Sequence, residues 1–173
     1  MDIWELTARE LIRDTLARYT WAGDAFRLDE LAAAFCPDGV LEVRDTPPHE
    51  GRDAIVAFLS GVGTRSGVDI GDGERAPADD DARRARRRAA AAASGVRRIV
   101  RHNVANIRFL ELTPTQALVA SYFTVVTEIG LDHCGRYRDT LVPSGGEWLI
   151  RHRFVSTDWR SPDSTMAAPA KEP

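Results

Sequence analysis

Two periodicities divide the chain. Between residues 3 and 61 apolar side chains recur at the three-and-four spacing of helices facing a core, whereas from residue 98 to residue 160 apolar and polar positions alternate in the two-residue rhythm of strands. In the first region "WELTARELIRDTLARYTWAGD" lines up Trp4, Ala8, Leu11, Ile12, Thr15, Leu16 and Tyr19 and predicts a long helix stopping at Gly23. "RLDELAAAF" predicts a short second helix with Asp29 near its start, where a carboxylate complements the exposed amides, and "CPDG" reads as the turn that ends it. A strand is expected at "VLEV", and "GRDAIVAFLSGV", opened by a turn at Gly51, returns to helical spacing through Ile55, Phe58 and Leu59.

In the second region "RIVRHNVANIRFLEL", "QALVASYFTVVTEI", "HCGRYRDTLVP" and "EWLIRHRFVSTDW" are extended segments separated by the turn signals "TPT", "GLD" and "SGG". Helices first and an antiparallel meander second define an α+β class, in which helices cover one face of a curved sheet that can wrap a pocket. The two regions make one domain over residues 1–160, interrupted at 64–97 by a block that is Asp/Gly-rich and then Arg/Ala-rich. Residues 161–173 are too polar and Pro-rich to pack and read as a disordered tail.

Composition narrows the class little further. With 43% apolar and 28% charged residues the chain reads as an ordinary soluble protein. Its start lacks a basic segment followed by an apolar core, and no apolar run is long enough to span a bilayer, so a cytoplasmic protein with no membrane partner is expected. Cys36 and Cys134 have no metal-like spacing. The net charge of −3 argues against a nucleic-acid partner, and the arginines from Arg83 to Arg88 read as a solvated face because no aromatic residue is interleaved to stack bases.

Candidate chemistry centres on "RHNVANIRF", where a titratable imidazole, His102, sits on a strand expected to build a core. Alternation would put His102, Val104 and Asn106 on one face, and "GRYRD" puts Tyr137 and Asp139 together on one face of the third strand. No phosphate-binding glycine motif occurs: "SGVGTRSG" lacks the lysine that such a loop needs. His102, His133 and His152 could meet across strands, but no accompanying carboxylate pattern supports a zinc site, and no metal is expected.

The stretches "RYTWAGDAFRLDELAAAFCPDGVLEV", "GRDAIVAFL", "RHNVANIRF", "GRYRDTLVPSGGEWLIRHR" and the closing "DW", in that order, resemble the SnoaL-like branch of the nuclear transport factor 2-like superfamily. The resemblance covers residues 3–61 and 98–160 and implies a cone-shaped sheet packed on N-terminal helices. It also implies a chemistry, that of bile-acid dehydratase and hexachlorocyclohexane dehydrochlorinase, in which an aspartate after the first helix and a strand histidine remove a proton. Those positions fall on Asp24 and His102, with Tyr19 matching the dehydratase's tyrosine and Arg153 matching a cation that faces the leaving group. The dehydrochlorinase's lysine has no counterpart, so loss of water is favoured over loss of halide. Asn106, Tyr137, Phe58 and Trp21 are the candidate pocket wall.

The residue types suit that chemistry on their own terms. A neutral imidazole is a competent base near neutral pH, a carboxylate on its other nitrogen fixes the tautomer, and tyrosine and arginine can donate to a developing oxyanion, with no metal or organic cofactor required. Structural readings stand beside these: a satisfied core or rim histidine for His102, a helix terminator for Asp24, a core aromatic for Tyr19. On a regular strand Arg153 shares a face with Leu149, Arg151 and Val155, whereas His152 lies with the more apolar Trp148, Ile150 and Phe154, which makes His152 a rival. Tyr19 and Asp24, about 140° apart on a helix, converge only if it ends near Gly23. The expected function is a cofactor-free lyase, a dehydratase acting on a small hydrophobic ring compound, with an isomerase or cyclase or a non-catalytic binding module as alternatives. A homodimer or homotrimer is the expected assembly.

Overall fold

The computed structural model describes residues 2–66, 99–164 and 166. Helix α1 (Ile3–Asp24) opens with the Asp2 amide donating to Glu5 Oε2 at 3.2 Å and buries Ala8, Ile12, Thr15, Leu16, Tyr19, Thr20 and Ala22, close to the stripe read from the sequence. Trp4 lies outside that stripe, 40% exposed. The helix outlasts Gly23. Its end is a Schellman turn, with the Phe26 amide on the Gly23 carbonyl and the Arg27 amide on the Ala22 carbonyl, and Phe26 takes the left-handed conformation at φ 56°. Gly23 serves a different purpose: a Cβ there would lie 3.1 Å from Leu31 Cδ1, so its bareness lets helix α2 (Leu28–Ala33) pack close.

Strand β1 (Phe35–Val43) runs straight through "CPDG", which was expected to turn. The segment instead carries an irregularity in pairing between Phe35 and Val40. A Cβ on Gly39 would come within 2.9 Å of the Ile150 carbonyl, which is why glycine sits there. Strand β2 (His49–Glu50) and helix α3 (Arg52–Ser66) follow, and α3 takes up residues 64–66 that the sequence reading gave to the insertion. The rest of the Asp/Gly and Arg/Ala block lies outside the described residues.

The meander is β3 (Val100–Leu112), β4 (Ala117–Thr127), β5 (Gly130–Ser144) and β6 (Glu147–Arg160), each antiparallel to the next, as expected. The six-stranded sheet has the order β2-β1-β6-β5-β4-β3 and is mixed, because β1 joins β6 in parallel. α1 lies against one face, and Ile12, Leu16, Phe35, Leu41, Ile55, Val119, Leu141 and Ile150 form the main core. Thr15 Oγ1 donates to the Trp148 carbonyl at 2.6 Å, pinning α1 to β6. A second cluster, Val100, Phe123, Val125 and Tyr137, occupies the other end of the concave face. The tail expected to stay unpacked begins with an ordered turn: Ser161 and Ser164 bond to Asp132, and Met166 packs on the second cluster. Residues 167–173 lie outside the described residues. No helix among the described residues is long and apolar enough to cross a membrane.

Candidate active site

β3 is an edge strand, so alternate amides along it point away from β4 and need other partners. The Schellman turn leaves Asp24 on the last turn of α1 facing that edge. Its carboxylate accepts from the His102 backbone amide at 3.0 Å through Oδ2, and its Oδ1 lies 2.6 Å from His102 Nδ1. One carboxylate thus caps the edge amide and grips the ring, with the two side chains only 13% and 21% exposed. Since the carboxylate is an acceptor, Nδ1 is the nitrogen that carries the proton, and in the neutral imidazole Nε2 then holds the free lone pair. Asp24 and His102, which the resemblance pairs although 78 residues separate them in the chain, are in contact.

The expected alternation along β3 stops at a bulge between Ala105 and Arg108. There Asn106 adopts φ 52° and is exposed, while Val104 and Ile107 both turn toward the core. Asn106 therefore does not share the His102 face, as simple alternation had it.

A second bulge decides between Arg153 and His152. The β5–β6 register slips between Thr140 and Leu141, so Ile150 and Arg153, three residues apart, both end fully buried on the concave side. His152 Nε2 instead meets Glu42 Oε2 at 2.9 Å, in a partly exposed pair. Arg153 donates through Nε and Nη2 to the two oxygens of Asp139 at 2.7 and 2.9 Å, and neither side chain is solvent-exposed. Its guanidinium carbon is 4.1 Å from the centre of the Tyr19 ring and 4.2 Å from that of Tyr137. Burial alone would pull the Arg153 pKa down, but the Asp139 charge and hydrogen bonds reverse this and raise it, so the cation persists. Burial pushes both the Tyr19 and the Tyr137 hydroxyl above the usual phenol range, and they stay neutral donors.

This end of the concave face keeps unspent polar capacity. Arg153 Nη1 and Ser121 Oγ are buried without a hydrogen-bond partner among the described residues. Ser121 stands directly across from Tyr137 on the neighbouring strand. The Asp24 charge reaches Tyr137, which links the His102 pair to the arginine cluster. Tyr137 also stacks on Phe123, ring centres 4.6 Å apart.

Two expected wall residues stand elsewhere. Trp21, one turn before Asp24 on α1, remains 73% exposed, and Phe58 stacks on His49 at 3.9 Å beside the main core. Asp139 as partner of Arg153, and the unpartnered Ser121, escaped the sequence reading. The signal for Asp139 was present, since it shares a face with Tyr137, but the partner came from a register that no local pattern encodes. Among the described residues no group of three or more His, Cys, Asp or Glu side chains is arranged to hold a metal.

The sequence profile of the SnoaL-like domain matches residues 4–154. Among curated proteins, none has a sequence that matches this chain. Solved structures share the fold. A cystatin-like protein of unknown function from Nostoc punctiforme is 16% identical with TM-score 0.65, covering 92% of this chain and 95% of its own. A candidate scytalone dehydratase from Novosphingobium aromaticivorans is 21% identical with TM-score 0.62, covering 96% of this chain and 97% of its own. ActVI-ORFA from Streptomyces coelicolor is 18% identical with TM-score 0.62, covering 87% of this chain and 96% of its own. With the curved sheet, its helical cover and a profile match over most of its length, the chain belongs to the SnoaL-like domain family of the nuclear transport factor 2-like superfamily.

Proposed function

We propose that the protein is a lyase that removes a proton and then water from a small hydrophobic ring compound, with His102 as the base and Asp24 as its orienting partner. The observation that carries this reading is the 2.6 Å contact between His102 Nδ1 and Asp24 Oδ1, which in the neutral ring holds the proton on Nδ1 and gives Nε2 the lone pair of a base. Nε2 takes a proton from the carbon beside a ring carbonyl, and the electron pair moves onto the carbonyl oxygen as an enolate. Tyr19 and Tyr137, held neutral and flanking Arg153, donate toward that oxygen. The enolate then expels the hydroxyl on the next carbon, and the His102 imidazolium returns its proton to it, releasing water. Every proton in this scheme moves through groups of this chain. The fold shared with a candidate scytalone dehydratase agrees with the proposal.

The test uses 3-hydroxy-1-tetralone, a bicyclic β-hydroxy ketone whose dehydration gives 1-naphthol. The wild-type protein is expected to accelerate naphthol formation, and His102→Ala to lose about a thousandfold, the scale of a positioned general base. Deuterium uptake beside the carbonyl without naphthol would point to an isomerase or cyclase using the same base. Neither exchange nor dehydration across a panel of cyclic ketones would leave a binding module and sink the proposal.

A further inference from the structure

A second histidine–carboxylate pair lies on the same row of the sheet as His102. His102 on β3 and His133 on β5 are both register partners of Val125 on β4, and cross-strand partners point to the same side. His133 Nδ1 lies 2.6 Å from Asp132 Oδ1. Adjacent residues on a regular strand face opposite ways, yet Asp132 and His133 are both buried, because the β4–β5 register slips beside them. The Asp132 carboxylate also accepts from Ser164 Oγ at 2.6 Å and Thr127 Oγ1 at 3.3 Å, so it is held on three sides as an acceptor. His133 therefore carries its proton on Nδ1, and no group among the described residues occupies Nε2. Phe123, Val125 and Tyr137 form the apolar floor around the row, with Met166 packed against them. Burial keeps His133 below the ordinary histidine range, and the nearby His102 adds to that effect.

We infer that His133 Nε2 is a substrate-binding acceptor, so that the site takes a hydroxylated ring whose hydroxyl donates to His133 while an acidic carbon on the opposite side of the ring faces His102. The spacing supports a single ring. Strands about 4.8 Å apart put positions two strands away at about 10 Å, and because side chains on a concave face converge, this is the widest gap the two tips span. A hydrogen bond of about 2.8 Å at one end and a near-attack contact of about 3.3 Å at the other leave about 4 Å, roughly the width of one six-membered ring. The hydroxyl bound by His133 is not the one that departs, because a neutral acceptor holds a hydroxyl in place and gives it no proton. The inference rests on the lyase reading for the role of His102, and it names the substrate class of that same site.

The experiment is long-range 1H–15N spectroscopy of the wild-type protein labelled in its histidines, titrated with 1,3-dihydroxybenzene and, separately, with 1,3-dimethoxybenzene, which cannot donate. His49, His102, His133 and His152 are the only histidines, so substituting the other three assigns His133 even where a His133 variant fails to fold. The expected result is that the Nε2 signals of His102 and His133 both move upfield with the diol and neither does with the diether. The diol should bind at least fivefold more tightly than the diether, with His133→Phe removing most of that preference. Movement of His102 alone would overturn the role of His133 while leaving the lyase proposal standing. No movement of either ring with the diol would overturn the inference and count against the lyase proposal as well.

Discussion

Replacing Asp139 by asparagine tests whether the cluster beneath the site is organised as described. Asn keeps the size and one acceptor but removes the charge, leaving the Arg153 guanidinium fully buried between two aromatic rings with no counter-ion. The pair is wholly inaccessible and its hydrogen bonds are 2.7 and 2.9 Å long, so the loss belongs with broken buried pairs at about 3–5 kcal/mol and not with surface pairs below about 1 kcal/mol. For a chain of this size about 4 kcal/mol corresponds to a fall in Tm of roughly 8–16 °C. Urea unfolding followed by circular dichroism gives the free energy, and a thermal scan gives the Tm. A companion variant, Asp139→Leu with Arg153→Met, removes both charges and should be more stable than Asp139→Asn, because no ion is left unpaired. A cost below about 1 kcal/mol for Asp139→Asn, with Tm unmoved, would refute the buried pair and its role in holding Tyr19 and Tyr137.

Other expectations follow from the same geometry. In the naphthol assay Asp24→Asn should cost less than His102→Ala, and the double variant should be scarcely worse than His102→Ala alone; multiplicative losses would show independent action. Because burial lowers the His133 pKa, the unfolded chain binds a proton that the folded chain refuses below about pH 6.5, so stability should fall as pH drops through that window, by at most about 1.4 kcal/mol per pH unit, and His133→Phe should flatten the slope in urea melts. Tyr19 and Tyr137 have raised pKa values, so above about pH 10 the unfolded chain loses protons that the folded chain keeps and stability should fall; ultraviolet titration should show these two ionising only as the protein unfolds. Leu110, Tyr122 and Trp159 are about half exposed, and a homodimer or homotrimer using them should appear in light scattering and dissociate on Tyr122→Arg; a monomer at micromolar concentration would count against it.

What the sequence determined by itself was whatever depends on local repetition. The buried stripe of α1, the α3 helix through Ile55 and the four-strand meander follow from spacing, because side-chain direction repeats every 3.6 residues in a helix and every two in a strand. Asp24 and His102 stood out as candidates because residue order and type carried a family resemblance, although nothing local says that the two touch. Tertiary structure decided wherever a register slips or distant segments meet. Bulges turned Asn106 outward, against what alternation implied, and Arg153 inward, where alternation had left the choice between Arg153 and His152 open, since one extra residue moves every later side chain to the other face. β1 pairs in parallel with β6, and "CPDG" stays extended, because a strand's partner is set by long-range hydrogen bonding. The same holds for the Asp139–Arg153 pair and for the shared row of His102 and His133. Each depends on which residues face one another across strands, and that is determined only when the whole sheet closes.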